Sequence, residues 1–396
     1  MVSNRQLFLR HVAQTSENSL LFEIERAEGI FFYDTSGKAY IDLVSGVSVS
    51  SLGHNHPAVV SAIQTQAGCY LHTMVYGEFV QSPQVRYAKW LTDHLPSSLD
   101  NVYFVNSGSE AIEGAMKLAK RVTGRTDFIS FHRAYHGGTQ GALSILGDRS
   151  IRSGFLPLLP GTRQIRFNHQ EDLDLLDDTV AAVVVEPIQA EAGIIEPAGD
   201  FLHFLRERCN ETGTLLVLDE IQTGMGRTGA WFAFEHYGVV PDILCLAKSF
   251  GGGMPLGAFI SGRDHMRQLT YDPPLGHITT FGGHPVSCAA AIAAQNYVEQ
   301  EDLLIHAIRM EKCYRENLNH PLIKDIRGKG LFLAVVLEKG VDVDRFLKNA
   351  FASGLIIDRF LFSDDAFRIA PPLIISERQV VDSVERILTA LDHTDS

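Results

Sequence analysis

The sequence predicts an α/β fold: a large unit built on a largely parallel sheet with helices on both faces, followed by a smaller α+β domain. Two observations predict the sheet. Short apolar, β-branched runs recur at 102–105, 128–131, 181–185, 214–218 and 243–246, with helical or mixed stretches between them, as strand and helix alternation requires. The residues just after these runs are polar: Asn106 and Ser107, His132, Glu186, Asp219 and Lys248. In such a sheet the ligand lies beyond the carboxyl ends of the strands. A third observation predicts the smaller unit, because beyond about Ala290 an Ala-rich helix leads into short apolar runs at 331–337 and 354–357 and a closing helix.

Taken in order, the run at 102–105 meets a helix start. Ser107 and Glu110 have capping-box spacing, and Ile112, Ala115, Ala119 and Val122 then recur at helical intervals. An anion-friendly helix terminus therefore stands at a strand end. No internal repeat, low-complexity segment or Pro/Gly/Ser linker divides the chain. We expect an N-terminal segment over 1–53 that joins the small domain, a large ligand-binding domain over 54–290 and the small domain over 291–396.

At 396 residues there is room to bury a cofactor, and 45% apolar against 20% charged residues is the balance of a globular protein. With 34 basic and 47 acidic residues the formal charge is −13, and no Lys/Arg block offers a nucleic-acid surface. The five cysteines, Cys69, Cys209, Cys245, Cys288 and Cys313, form no CxxC pair, which argues against a disulfide framework and a zinc site. The histidines have no carboxylate or cysteine grouping at ligand spacing, so no metal is expected. No secretory leader or membrane-spanning run is visible, and a cytoplasmic location is expected.

The chemistry concentrates in Leu216-Val-Leu-Asp219-Glu-Ile-Gln222 and Pro241-Asp-Ile-Leu-Cys-Leu-Ala-Lys248-Ser-Phe-Gly-Gly-Gly253. A carboxylate at one strand end and a lysine after another suit pyridoxal 5'-phosphate (PLP). The lysine amine forms an imine with the aldehyde, and the carboxylate keeps the pyridine nitrogen protonated. The alternative is a surface lysine beside a glycine turn, with Asp219 as a helix cap.

Over 215–258, including Gly226-Arg-Thr-Gly229 and Met254-Pro-Leu-Gly-Ala258, the chain resembles the class III, or ω-aminotransferase, family of PLP enzymes, which includes acetylornithine, ornithine and 4-aminobutyrate aminotransferases. The resemblance extends through Leu52-Gly-His-Asn-His-Pro57, Asn106-Ser-Gly-Ser-Glu-Ala111, Val185-Glu-Pro-Ile-Gln-Ala-Glu-Ala-Gly193 and Phe367-Arg-Ile-Ala-Pro-Pro372. It implies the PLP-transferase type I fold, with a mostly parallel seven-stranded sheet. It also implies Lys248 as the Schiff-base lysine, Asp219 as the pyridinium partner and Gln222 as a hydrogen-bond partner of the ring's phenolate oxygen. Gly108 and Ser109 match the phosphate cup, and Tyr135 the aromatic over the ring.

The segment His277-Ile-Thr-Thr280-Phe-Gly-Gly-His284-Pro resembles a family loop whose threonine, here Thr280, reaches the partner subunit's cofactor phosphate. A homodimer with active sites at the interface is implied. Ile278 and His284 depart from the family's glycine and asparagine. Arg368 matches the residue that grips an α-carboxylate, and Glu191 the acid that pairs with it when an amine-ended donor is bound.

The implied activity is ping-pong transfer from a terminal amine donor to a keto acid, 2-oxoglutarate in the family. The donor itself is open. Gly138 stands where the acetylornithine and ornithine branches carry an arginine for the donor's remote carboxylate, and the segment from Tyr76 through Glu78 and Phe79 to Gln84 is slightly longer than theirs. Tyr76 is the foremost candidate for donor contact. A mutase or decarboxylase on the same scaffold, or a non-catalytic homologue, are the alternatives.

Overall fold

A computed structural model describes residues 2–17, 19–74 and 77–394. Its strands in chain order are β1 (Ile24–Glu28), β2 (Phe31–Asp34), β3 (Ala39–Asp42), β4 (Asn101–Val105), β5 (Asp127–Phe131), β6 (Thr162–Ile165), β7 (Val180–Val185), β8 (Leu215–Asp219), β9 (Ile243–Leu246), β10 (Gly257–Ser261), β11 (Ile323–Lys329), β12 (Phe332–Leu337), β13 (Leu355–Ile356) and β14 (Ala366–Ile369). Four helices matter for the site and its support: α1 (Pro57–Cys69), α2 (Gly108–Thr123), α3 (Pro285–Gln300) and α4 (Glu377–Asp392).

Seven strands form the central sheet in the order β4-β10-β9-β8-β7-β5-β6. Only β10 runs against the rest, antiparallel to both β4 and β9, while β5 to β9 pair in parallel. All five expected strands are present. Their period of two explains why the sheet is covered on both sides: Leu216, Leu218, Leu244 and Leu246 enter one core, and Val217, Ile243 and Cys245 enter the core on the other face.

Both added strands lack the long apolar signature. Thr162–Ile165 lies at the sheet edge with only Ile165 buried. Gly257–Ser261 is fully buried but begins in the glycine-rich run.

The third core joins distant parts of the chain. Ile30, Ile41, Leu43 and Leu52 pack with Leu333, Val335, Phe367, Ile369 and residues of α4. β3 pairs in parallel with β13, so the N-terminal strands share a four-stranded sheet with the later chain, and β11-β12-β14 form a separate three-stranded sheet. The expected run at 354–357 contains only the two-residue strand β13. Arg227, fully buried, donates from Nη1 to the carbonyls of Leu331 and Pro371, tying the turn after β8 to this core.

The start of α2 corrects one expectation. Ser107 is the N-cap and its Oγ accepts from the Glu110 N–H at 3.2 Å. The Glu110 carboxylate, however, turns to the N–H of Asn106 at 2.7 Å and to Asn106 Nδ2. The reciprocal half of the capping box is thus displaced by one residue, because the Asn106 amide offers a second donor that Ser107 does not.

Candidate active site

A cavity of about 410 Å³ opens at the carboxyl ends of the central strands, within the size range of small-molecule sites. Its wall includes Ser107, Gly108 and Ser109 from the start of α2, Tyr135 and His136 after β5, Glu186 and Glu191 after β7, Asp219 and Gln222 after β8, and Lys248 after β9. Five strand ends therefore deliver the polar residues to one place. Of the polar residues expected there, His132 is not part of this wall.

Lys248 stands in a tight turn with φ at +54°, a left-handed conformation that a lysine adopts only when its surroundings hold it there. Its Nζ donates to Gln222 Oε1 at 2.7 Å. Burial draws the amine from its ordinary 10.5 down to about 8; the charge of Glu191 opposes this and that of Arg368 adds to it. The surface-lysine alternative is thereby removed.

Asp219, the last residue of β8, is buried. Its Oδ1 accepts from the N–H of Ile221 at 3.0 Å, a local cap, while Oδ2 meets His136 Nδ1 at 2.7 Å. His136 is also buried, and its Nε2 has no partner. His136, next to Tyr135, is not among the residues that the sequence alone singles out. The available signal was a histidine in the loop after one strand, facing an acid at the end of another.

Ser109 Oγ accepts from the Gly138 N–H at 3.0 Å, which ties the loop after β5 to α2. Gly137 allows this approach: a Cβ there would lie 2.0 Å from Ser109 Oγ, and φ is +130°. Thr139 and Gly141 donate to Glu113 one turn further along α2. Tyr135 is 36% exposed into the opening. Burial, then the charge of Glu191, pushes its phenol above the ordinary range.

Glu191 Oε1 accepts from Arg368 Nη2 at 2.7 Å, with both side chains buried. Glu191 Oε2 accepts from the N–H of Leu361. Glu186 is buried with Oε2 unpartnered, and burial pushes its carboxyl well above the usual range, helped by the charges of Asp219 and Glu191. Thr280 stands on an exposed loop outside the cavity of its own chain. The neighbouring Thr279 accepts from Asn106 Nδ2 at 3.2 Å. Tyr76 lies outside the described residues. Among the described residues no cluster of three or more His, Cys, Asp or Glu is placed to hold a metal, and no helix is long and apolar enough to cross a membrane.

The family model for class III aminotransferases matches residues 12–391. The chain belongs to the class III aminotransferases. Among its relatives, the acetylornithine aminotransferase of Methanopyrus kandleri is 41% identical over 369 residues, 92% of either chain. That of Methanocaldococcus jannaschii is 39% identical, over 92% of this chain and 91% of that one. The structure of ornithine aminotransferase from Toxoplasma gondii, with partial occupancy of PLP, matches with a TM-score of 0.91 at 30% identity, covering 98% of this chain and 93% of that one. The ω-transaminase of Pseudomonas jessenii in complex with PMP matches at 0.92 and 28% identity, over 99% and 98% of the two chains.

Class III aminotransferases are PLP-dependent enzymes, and this fold is the one the sequence resemblance implied. The support for transamination favours that activity over the mutase and decarboxylase readings, and membership of an enzyme family tells against a non-catalytic homologue. The residues present fit the cofactor. A lysine with a lowered pKa faces the cavity, Gln222 Nε2 is buried without a partner, and the sixteen-residue α2 presents its N-terminus to the same space. Gly108 leaves room there, since a Cβ would come within 2.8 Å of Ile221 Cδ1.

Proposed function

We propose that this aminotransferase moves the amino group of a terminal-amine donor to 2-oxoglutarate by a ping-pong sequence. The observation that carries the reading is the gathering of Lys248, Asp219 and Gln222 with the buried Glu191–Arg368 pair at one cavity. Bound there, PLP supplies an aldehyde carbon for the amine and a ring that takes up an electron pair.

The chain's own residues do the rest. Lys248 Nζ would hold the cofactor's aldehyde carbon, and the same amine would move a proton to and from the carbon that bears the donor nitrogen. Asp219 holds positive charge at the deep end of the cavity, and His136 fixes the carboxylate's orientation. Gln222 Nε2, now unpartnered, donates to the cofactor's phenolate oxygen. The N–H groups at Gly108 and Ser109, together with the Ser109 hydroxyl, receive the phosphate at the helix N-terminus. Tyr135 would pack against the apolar face of the cofactor ring.

Arg368 binds the α-carboxylate of the keto acid in bidentate fashion. Glu191 takes that place back when the donor has no carboxylate beside its reacting amine. Thr280 acts in the partner's site, so the working unit is a homodimer, and the acidic, CxxC-free chain works in the cytoplasm. The relatives named acetylornithine aminotransferase support an ornithine-type donor, whereas Gly138 supplies no charge for a remote carboxylate; both therefore belong in one panel with simple ω-amines.

The test is formation of glutamate from 2-oxoglutarate with that panel, combined with borohydride reduction and peptide mapping. We expect glutamate with at least one terminal amine and the label on Lys248. Label on another lysine, or carbon dioxide or migrated amine without glutamate, overturns the reading.

A further inference from the structure

Arg368 faces two carboxylates, and only one of them belongs to the switch just described. Nη2 is held by Glu191, but Nε lies 3.7 Å from Asp358 Oδ1. Phe360 covers the guanidinium face, 4.8 Å from its centroid. Asp358 Oδ1, Arg368 Nε and Arg368 Nη1 are all shielded from water and have no hydrogen-bond partner. Nε and Nη1 of the arginine therefore keep unused N–H groups for a carboxylate that takes the place of Glu191.

The two acids differ in how they are held. Asp358 is fixed through its backbone: its carbonyl accepts from the Arg368 N–H at 3.0 Å, and the next residue, Arg359, bridges to Phe367. The Glu191 backbone is held as well, its carbonyl accepting from the Phe362 N–H at 3.0 Å, so the acids differ at the side chain: the Glu191 carboxylate takes hydrogen bonds from Arg368 and the Leu361 N–H that a ligand can replace, whereas Asp358 Oδ1 takes none. A ligand that displaces Glu191 therefore still meets Asp358 beside the arginine.

We propose that Asp358 is a specificity-determining residue: its fixed carboxylate shares the Arg368 charge and so sets how tightly the arginine holds a keto-acid acceptor. The inference rests on the reading of Arg368 as the acceptor's anchor.

Ionised Asp358 partly cancels the arginine's pull on a third carboxylate, whereas the neutral acid leaves that pull intact. Burial raises this carboxyl from 3.8 to about 6; Arg368 opposes the rise, and Glu191 and Asp42 add to it. The charges around it are Arg368 on β14, Glu191 after β7, Asp42 on β3 with its partner His54, and Arg359, which pairs outward with Asp344. Acceptor binding should accordingly weaken as pH rises through about 6. By reciprocity, an acceptor carboxylate on Arg368 raises the Asp358 pKa further, which moves that transition toward neutrality.

The experiment measures kcat and KM for 2-oxoglutarate in the holoenzyme across pH, with amine donor in excess, for the parent, Asp358→Asn, Asp358→Glu and Arg368→Gln. Asp358→Asn should lower the acceptor KM about tenfold at the alkaline end and flatten its pH dependence. Asp358→Glu should restore the dependence, and thermal melting establishes that the variants fold. An acceptor KM that rises in Asp358→Asn, or keeps its parental pH profile, overturns the proposal. If Arg368→Gln leaves the acceptor KM unchanged, the anchor reading itself fails. If only the Asp358 variants behave as parent, that reading stands and this inference alone falls.

Discussion

The amine of Lys248 permits a quantitative expectation for cofactor capture. Only the neutral amine attacks an aldehyde. With its pKa at about 8, about a tenth of Lys248 is neutral at pH 7, against about 0.03% for a lysine at the ordinary 10.5, a gain of about 300-fold. The capture rate should climb tenfold per pH unit and level off near 8, the point at which the amine is already half free. Glu191 is the largest charge holding the amine up, so Glu191→Gln should move the plateau to lower pH. The assay mixes cofactor-free protein with PLP at a series of pH values, quenches with borohydride and counts label on Lys248 by mass. A rate that continues to climb toward 10.5, the ordinary lysine value, would refute the claim that burial at this turn activates the nucleophile.

Asp219→Asn should retain cofactor absorbance yet lower kcat about 100-fold, close to 3 kcal/mol of lost charge stabilisation in a low-dielectric pocket; equal kcat would remove its assigned role. Gly108→Ala places a methyl 2.8 Å from Ile221 Cδ1 and should raise the PLP Kd about tenfold by equilibrium dialysis. Arg227→Ala removes buried charge-assisted bonds to the Leu331 and Pro371 carbonyls. Chemical denaturation should show a loss of about 2–3 kcal/mol, and a shift within error would mean that water replaces the guanidinium.

Much of this architecture was legible because strand ends and chemistry coincide. The runs before Asn106, Glu186, Asp219 and Lys248 are short apolar segments, all but the first almost wholly buried, and such a run needs no long-range information to be recognised. Strand order was not readable in that way, since pairing β4 with β10 joins segments separated by more than the local pattern encodes. The Thr162–Ile165 edge strand has one exposed flank and no apolar run to mark it.

The site divides along the same line. Lys248, Asp219, Gln222, Gly108, Ser109, Tyr135 and Glu191 line the cavity, and Arg368 stands behind Glu191. His136 and Asp358 gain meaning only from what the fold sets beside them. The first depends on a loop that reaches across β7 to Asp219, the second on a backbone bridge to the strand that carries Arg368.

The three carboxylates of this cavity are not equivalent, and the difference has a measurable consequence. Asp219 is satisfied by His136 and the Ile221 N–H, and Glu191 by Arg368 and the Leu361 N–H, so the desolvation of each is offset by its partners. Glu186 has a bare, buried Oε2, and burial pushes its carboxyl well above the usual range, so burial favours the neutral form of this acid. A neutral acid exerts little pull on the neighbouring ammonium. Glu186→Gln reproduces that neutral form and should leave the pH profile of Lys248 capture nearly where it was, while Glu191→Gln moves it to lower pH. Equal shifts in the two variants would mean that Glu186 is ionised beside Lys248, and that the pocket holds one more negative charge than its partners can balance.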